Sequence, residues 1–171
     1  MCKIPIAIDN SVLGDLVDPN LPENKKEDNN AFLQIIELDH KGIVEIGIPI
    51  STTMIEELGS GNIKREAVRK IMGSAWRRWP VLVTKEHNKI LDKQIDCLTK
   101  VMQDKGGIDS KNFIVSTIYS NYYLTTDYRY LRQFRAQFKK IRGKCGITKE
   151  IFTPSEFLEK YYKGEIKDFS L

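Results

Sequence analysis

Short apolar runs alternate with segments of helical periodicity along most of this chain, and this alternation constrains the fold more than any other feature. The strand-like runs are residues 4–8, 43–50, 81–84, 122–125 and 147–152. The helical segments between them are residues 31–38, 63–75, 88–101 and 109–120. Strands separated by helices are joined by right-handed crossovers, so we expect an α/β fold with a mostly parallel sheet covered on both faces.

Length and composition favour one domain. The chain has 171 residues, of which 41% are hydrophobic, so it can bury a substantial core. Residues 15–30 are rich in Asp, Asn, Pro and Glu. We expect them to form an acidic loop inserted in a single domain that spans residues 1–171. The formal charge of +4 is too small to identify a polyanionic partner by itself.

The cysteines and histidines do not form a metal-binding pattern. Cys2, Cys97 and Cys145 are far apart and make no C-x-x-C pair, and the only histidines are His40 and His87. A structural zinc site is therefore not expected. We expect reduced thiols and a cytoplasmic protein instead. The first apolar run is too short for a signal peptide or a membrane span, so no membrane partner is expected.

Carboxylates follow the predicted strands. Asp9 ends the first run, Asp127 follows the run at 122–125, and Asp109 opens the helical segment before that run. The carboxyl ends of parallel strands are where such sheets keep their sites. Carboxylates without histidine or cysteine neighbours favour Mg²⁺ or Mn²⁺, which indicates metal-assisted phosphodiester chemistry. The plainer alternative for any single Asp here is a helix cap, and Asp109 lies where an N-cap belongs.

A fourth acid comes from the segment after the second strand. Thr53 as N-cap with Glu56 three residues later would make a capping box, in which the Glu56 carboxylate binds the backbone. Glu57 lies about 100° further round the helix and would be free for a site.

Five segments in this order resemble the PIN-domain ribonucleases, the family that includes the VapC-type toxins of toxin-antitoxin pairs. They are Asp9-Asn10-Ser11-Val12-Leu13, residues 50–61 with Glu57, the spacing from Asp109 to Asp127, Tyr123-Leu124-Thr125-Thr126-Asp127, and Thr153-Pro154-Ser155-Glu156-Phe157-Leu158. The last of these is similar to the closing stretch of the family, in which a strand leads into a helix that begins with Thr-Pro.

The resemblance implies a three-layer sandwich around a five-stranded sheet of order 3-2-1-4-5. It also implies an endoribonuclease that cuts single-stranded RNA with Mg²⁺ or Mn²⁺. We assign Asp9, Glu57, Asp109 and Asp127 as catalytic acids and metal ligands, and Ser11 and Thr125 as hydroxyls that orient them. The expected partners are an RNA substrate, an antitoxin protein if the chain is a toxin, and a second copy of the chain.

A basic segment follows Asp127. Residues 129–149 contain eight Lys or Arg and no acid, and four of the cations are candidate RNA contacts: Arg129, Arg132, Arg135 and Lys139. Leu131, Phe134, Phe138 and Ile141 recur at helical spacing and are expected in the core. A solvated charged face remains an equal alternative for the cations.

Two other functions are consistent with parts of the pattern. One is a PIN-like domain without activity that binds RNA or protein. The other is a response-regulator receiver, which requires a phospho-acceptor Asp after a middle strand. The run at 81–84 ends in Lys85 instead, which argues against a receiver.

Overall fold

A computed structural model describes residues 3–49, 77–79 and 85–166. The strands are β1 (Ile4–Ile8), β2 (Val44–Pro49), β3 (Arg77–Trp79), β4 (Tyr122–Leu124) and β5 (Glu150–Phe152). The helices are α1 (Asn10–Leu16), α2 (Glu23–His40), α3 (Lys85–Met102), α4 (Ile108–Ser116), α5 (Tyr128–Lys140) and α6 (Pro154–Tyr162). A π-helical turn, Ile141–Cys145, continues α5.

The strands pair in parallel, and β1 lies at the centre of the order β3-β2-β1-β4-β5. The expected α/β class and parallel sheet are thus confirmed. The third strand was predicted at 81–84, whereas the structure has the short edge strand β3 at Arg77–Trp79, and residues 80–84 lie outside the described part of the chain.

The side chains of β1 divide the core into two halves. Ile6 and Ile8 face the half that α1, α2 and α6 cover, while Ala7 faces the half that α3, α4 and α5 cover. Successive residues of a strand point to opposite faces, so a central strand with helices on both sides is apolar throughout. The sheet is therefore the middle of three layers.

The acidic insertion predicted at residues 15–30 is wrong. Helix α2 already begins at Glu23, so only residues 17–22 connect it to α1. The polar start of α2 is held by specific bonds: the buried Asp28 carboxylate accepts from the Tyr128 hydroxyl at 2.6 Å and from the Ser155 hydroxyl at 2.6 Å. Composition suggests a loop here, but the partners of Asp28 come from distant parts of the chain.

The expectation of reduced thiols is also wrong for one pair. Cys97 on α3 and Cys145 in the π-helical turn form a disulfide across 48 residues of sequence. These cysteines are far apart in sequence, but α3 packs directly against the turn that continues α5. Spacing along the chain could not reveal this contact.

Two local predictions are confirmed. Leu131, Phe134 and Ile141 are buried and Phe138 packs against them half-buried, so the apolar stripe of α5 and the turn that continues it belongs to the core. Strand β5 leads into α6 through a capping box, in which the Thr153 hydroxyl accepts from the Glu156 N–H and the Glu156 carboxylate accepts from the Thr153 N–H. This geometry satisfies two backbone donors that a helix start otherwise leaves unpaired.

None of the helices that the structure describes is long and apolar enough to cross a membrane.

Reduction of the Cys97–Cys145 disulfide should lower the free energy of unfolding by about 2 to 4 kcal/mol, because the bond restricts the unfolded chain. Urea unfolding with and without reductant measures this loss. The Cys97→Ser variant should show the same loss and no further response to reductant. A variant that still responds would place the redox-sensitive bond elsewhere.

Candidate active site

Asp9 occupies the carboxyl end of the central strand, and three hydroxyl groups bind its carboxylate. Its own N–H donates to the Leu124 carbonyl at 2.9 Å, which ties the end of β1 to β4. Ser11 and Thr125 donate to Oδ2 at 2.5 and 2.9 Å, and Tyr123 donates to Oδ1 at 2.9 Å. Three donors from two chain segments leave this carboxylate little freedom to rotate.

The same hydroxyls hold the loop after β4. Ser11 Oγ accepts from the Thr126 N–H at 3.0 Å, and Thr125 Oγ1 accepts from the Asp127 N–H at 3.0 Å. The two hydroxyl oxygens are 3.2 Å apart. Ser11 and Thr125, predicted to orient the acids, therefore contact Asp9 and the backbone that carries Asp127.

Asp127 is the N-cap of α5. Its Oδ1 accepts from the N–H groups of Arg129 and Tyr130, both at 3.0 Å. The cap alternative considered for strand-end acids is thus realised at this position. Oδ2 forms no hydrogen bond with any residue that the structure describes, so one carboxylate oxygen remains available for a ligand.

Asp109 lies in the first turn of α4 and is not its N-cap, which is Gly107 in the left-handed conformation at φ 68°. Burial raises the pKa of Asp109 first, and three carboxylates raise it further by repulsion. These are Asp104, Asp9 and Asp127. The three acids predicted from different elements therefore share one electrostatic environment, and the Arg129 guanidinium only partly offsets it.

Asp104 and Tyr130 belong to the same environment and were missed from the sequence. Asp104 Oδ2 accepts from the Ser110 N–H at 2.9 Å, so it caps the start of α4 from outside the helix. Burial raises the pKa of the Tyr130 hydroxyl well above its usual value, and Asp109, Asp104 and Asp9 add to this. Asp104 precedes Gly106-Gly107, a turn signal that could have drawn attention to it.

The described acids do not form a closed metal cage. Within residues 3–49, 77–79 and 85–166, no three Asp, Glu, His or Cys side chains lie close enough together to hold one ion. Glu57, the fourth predicted ligand, lies outside the described residues, as do Thr53 and Glu56. The donor set still fits Mg²⁺ or Mn²⁺ in its chemistry, because Mg²⁺ usually binds one or two carboxylates and keeps several waters.

The four cations predicted to contact RNA differ in their surroundings. Arg132 and Lys139 are exposed on α5, and Arg129 lies beside Asp109. Arg135 instead pairs with Glu156 through both guanidinium nitrogens, at 2.9 and 2.5 Å, and also donates to the Ile151 carbonyl. Arg135 therefore joins α5 to β5 and α6, a role that the prediction did not include.

No protein-family model matches the chain, and neither the curated proteins nor the solved structures gave a significant match. The fold and the site thus define a class by geometry alone. It is a parallel α/β protein with clustered carboxylates at the carboxyl edge of the sheet.

Substitutions of Asp127 should separate the cap from the charge. Asn is as good an N-cap as Asp, so Asp127→Asn should leave the free energy of unfolding nearly unchanged. Asp127→Ala should lower it by about 1 kcal/mol because α5 loses its cap. Chemical denaturation of both variants checks this, and equal stability of the two would contradict the capping role.

Proposed function

We propose that the chain is a metal-dependent endoribonuclease of the PIN-like class that cleaves single-stranded RNA. The observation that carries the proposal is that Asp9 and Asp127 follow the adjacent strands β1 and β4, while Asp109 on α4 lies near enough for both to raise its pKa. The observed strand order is the one that the family resemblance implies, which supports the same assignment.

The electrostatics of the site favour a bound cation. Asp9, Asp104 and Asp127 repel the Asp109 carboxylate, which favours its protonated form in the absence of a counter-charge. Burial is the largest cause of the raised pKa of Asp109, and repulsion from Asp104, Asp9 and Asp127 adds to it. A divalent ion would relieve the conflict, and when bound it activates a water and stabilises charge on a scissile phosphate.

The residues around the acids prepare the site. Ser11, Thr125 and Tyr123 hold the Asp9 carboxylate in one orientation, so little ordering remains to be done when a ligand binds. The cap fixes the position of Asp127 at the start of α5, and its Oδ2 receives no hydrogen bond from the described residues. We assign Glu57 as the fourth ligand on the family resemblance alone.

The positive charges near the site support an RNA substrate. Arg129, Arg132 and Lys139 lie on the helix that begins at Asp127, where they can bind the phosphates of an RNA strand. On the family resemblance alone, we extend the proposal to a toxin of a toxin-antitoxin pair, with an antitoxin protein and a second copy of the chain as partners.

A second candidate is a PIN-like module without activity that binds RNA or protein. One observation favours it: the described acids do not assemble into a three-ligand group, and Asp127 already serves as a helix cap. Cleavage in the presence of metal distinguishes the two candidates.

Cleavage of single-stranded RNA should require Mg²⁺ or Mn²⁺ and stop in EDTA, because the proposed ligands are all oxygen donors. Asp9→Asn and Glu57→Gln should each reduce turnover about 100-fold or more, since each removes a charged ligand worth several kcal/mol in the transition state. Asp92→Asn, an exposed carboxylate on α3, is the matched control. Full activity in EDTA, or in Asp9→Asn, would exclude the metal mechanism.

Charge reversal at Arg132 and Lys139 should weaken RNA binding and its dependence on salt. Removal of one cation that binds a phosphate should flatten the log-log salt slope by roughly 0.7 on single strands. Lys41→Glu, an exposed change at the end of α2, serves as control. Arg135 is left intact because its removal would also break the ion pair with Glu156. A salt slope equal to that of the unsubstituted protein would show that these cations form only a solvated charged face.

A further inference from the structure

A cavity of about 350 Å³ opens beside Asp109, between the α3–α4 connection and α5. Its walls include two carboxylates, two cations, a tyrosine and an amide: Asp104, Asp109, Lys105, Arg129, Tyr130 and Gln133. The volume lies within the range of small-molecule sites in proteins. The cavity is thus a pocket of ligand size that shares one wall with the candidate active site.

One polar group in this wall has no partner. Tyr130 is 7% exposed, and its hydroxyl forms no well-aligned hydrogen bond within the described part of the chain. The fully buried Ser110 hydroxyl lies close to it and lowers the Tyr130 pKa in part, but neither hydroxyl has a well-aligned partner among the described residues. Buried hydroxyls are nearly always hydrogen-bonded, so the Tyr130 hydroxyl, which lines the cavity without a well-aligned partner, indicates a ligand or water that completes it.

The charges of the cavity differ between its rim and its interior. Lys105 and Arg129 are exposed, whereas Tyr130 is buried and Asp104 half-buried. Asp104 uses one oxygen to accept from the Ser110 N–H, which leaves the other as an acceptor. Two cations and two carboxylates line the walls, and Asp9 and Asp127 add negative charge nearby, so the pocket does not favour a simple anion. It suits a ligand with an anionic end and a neutral part that has both donors and acceptors.

We propose that this cavity is a nucleotide subsite, which holds one ribonucleoside monophosphate unit. Its phosphate lies against Lys105 and Arg129, and its sugar or base bonds with Tyr130 and Asp104. In RNA this unit would be the nucleotide beside the scissile phosphate, a placement that rests on the proposed ribonuclease function. The pocket itself binds nucleotides whether or not the chain cleaves RNA.

Calorimetric titration of the full chain with the four ribonucleoside 5′-monophosphates tests the proposal. These ligands have no phosphodiester bond to cleave, and EDTA in the buffer removes any contribution from metal. At least one nucleotide should bind more tightly than inorganic phosphate. Tyr130→Phe should weaken it roughly threefold to tenfold, the effect of one hydrogen bond, and Lys105→Gln should weaken it similarly.

Two control variants and a stability measurement show whether the effects are specific to the cavity. Tyr162→Phe and Lys140→Gln change exposed residues outside the cavity and should bind nucleotides normally. Tyr130→Phe removes a hydroxyl without a partner, so the melting temperature should not fall. A fall would reveal a structural hydrogen bond instead and count against the proposal. Absence of saturable binding, or phosphate binding as tight as any nucleotide, would overturn it.

The two proposals fail separately. Asp9 does not line the cavity, so Asp9→Asn should lose cleavage and keep nucleotide binding. Nucleotide binding without RNA cleavage would support the nucleotide subsite and exclude the ribonuclease function. Cleavage by a protein that binds no nucleotide would exclude the nucleotide subsite and leave the ribonuclease proposal intact.

Discussion

The hydrogen bonds between Asp9 and the loop after β4 are the interaction on which the site depends. They connect the ends of two adjacent parallel strands through side chains that the strands themselves deliver. The Asp9 N–H binds the Leu124 carbonyl, and Ser11 and Thr125 bind both the carboxylate and the loop backbone. Loss of this network would separate Asp9 from Asp127, although each strand would still pair with its neighbours.

Sequence patterns predicted the features that arise from local physics. Apolar runs predicted the central strands, and the family resemblance predicted a helix that begins at Thr153-Pro154; the capping box of that helix is a finding of the structure. The acids at the strand ends followed from the same reasoning, since parallel strands end at one edge. The geometry of Asp9, with Ser11 and Thr125 bound to it, adds the contacts that the pattern could only suggest.

The features that the sequence did not reveal depend on partners distant along the chain. The polar start of α2 is ordered by bonds from Asp28 to Tyr128 and Ser155, and the disulfide joins two segments that meet only after folding. Tyr130 was missed because its neighbours Asp109 and Asp104 come from another part of the chain, whereas Asp104 was missed although it precedes a Gly-Gly turn signal. A pattern of neighbours in sequence contains no information about such pairs.

One region at the edge of the sheet combines several polar groups in unfavourable surroundings. Asp104 and Asp109 repel each other, the Tyr130 hydroxyl has no well-aligned partner in the described part of the chain, and Arg129 compensates only in part. Each of these conditions is unfavourable in the free protein. Preorganised sites keep such groups in place, because a ligand that neutralises the carboxylates and pairs the hydroxyl gains binding energy that no rearrangement of the protein has to offset. The same edge of the sheet can therefore supply both a cation site and a nucleotide pocket.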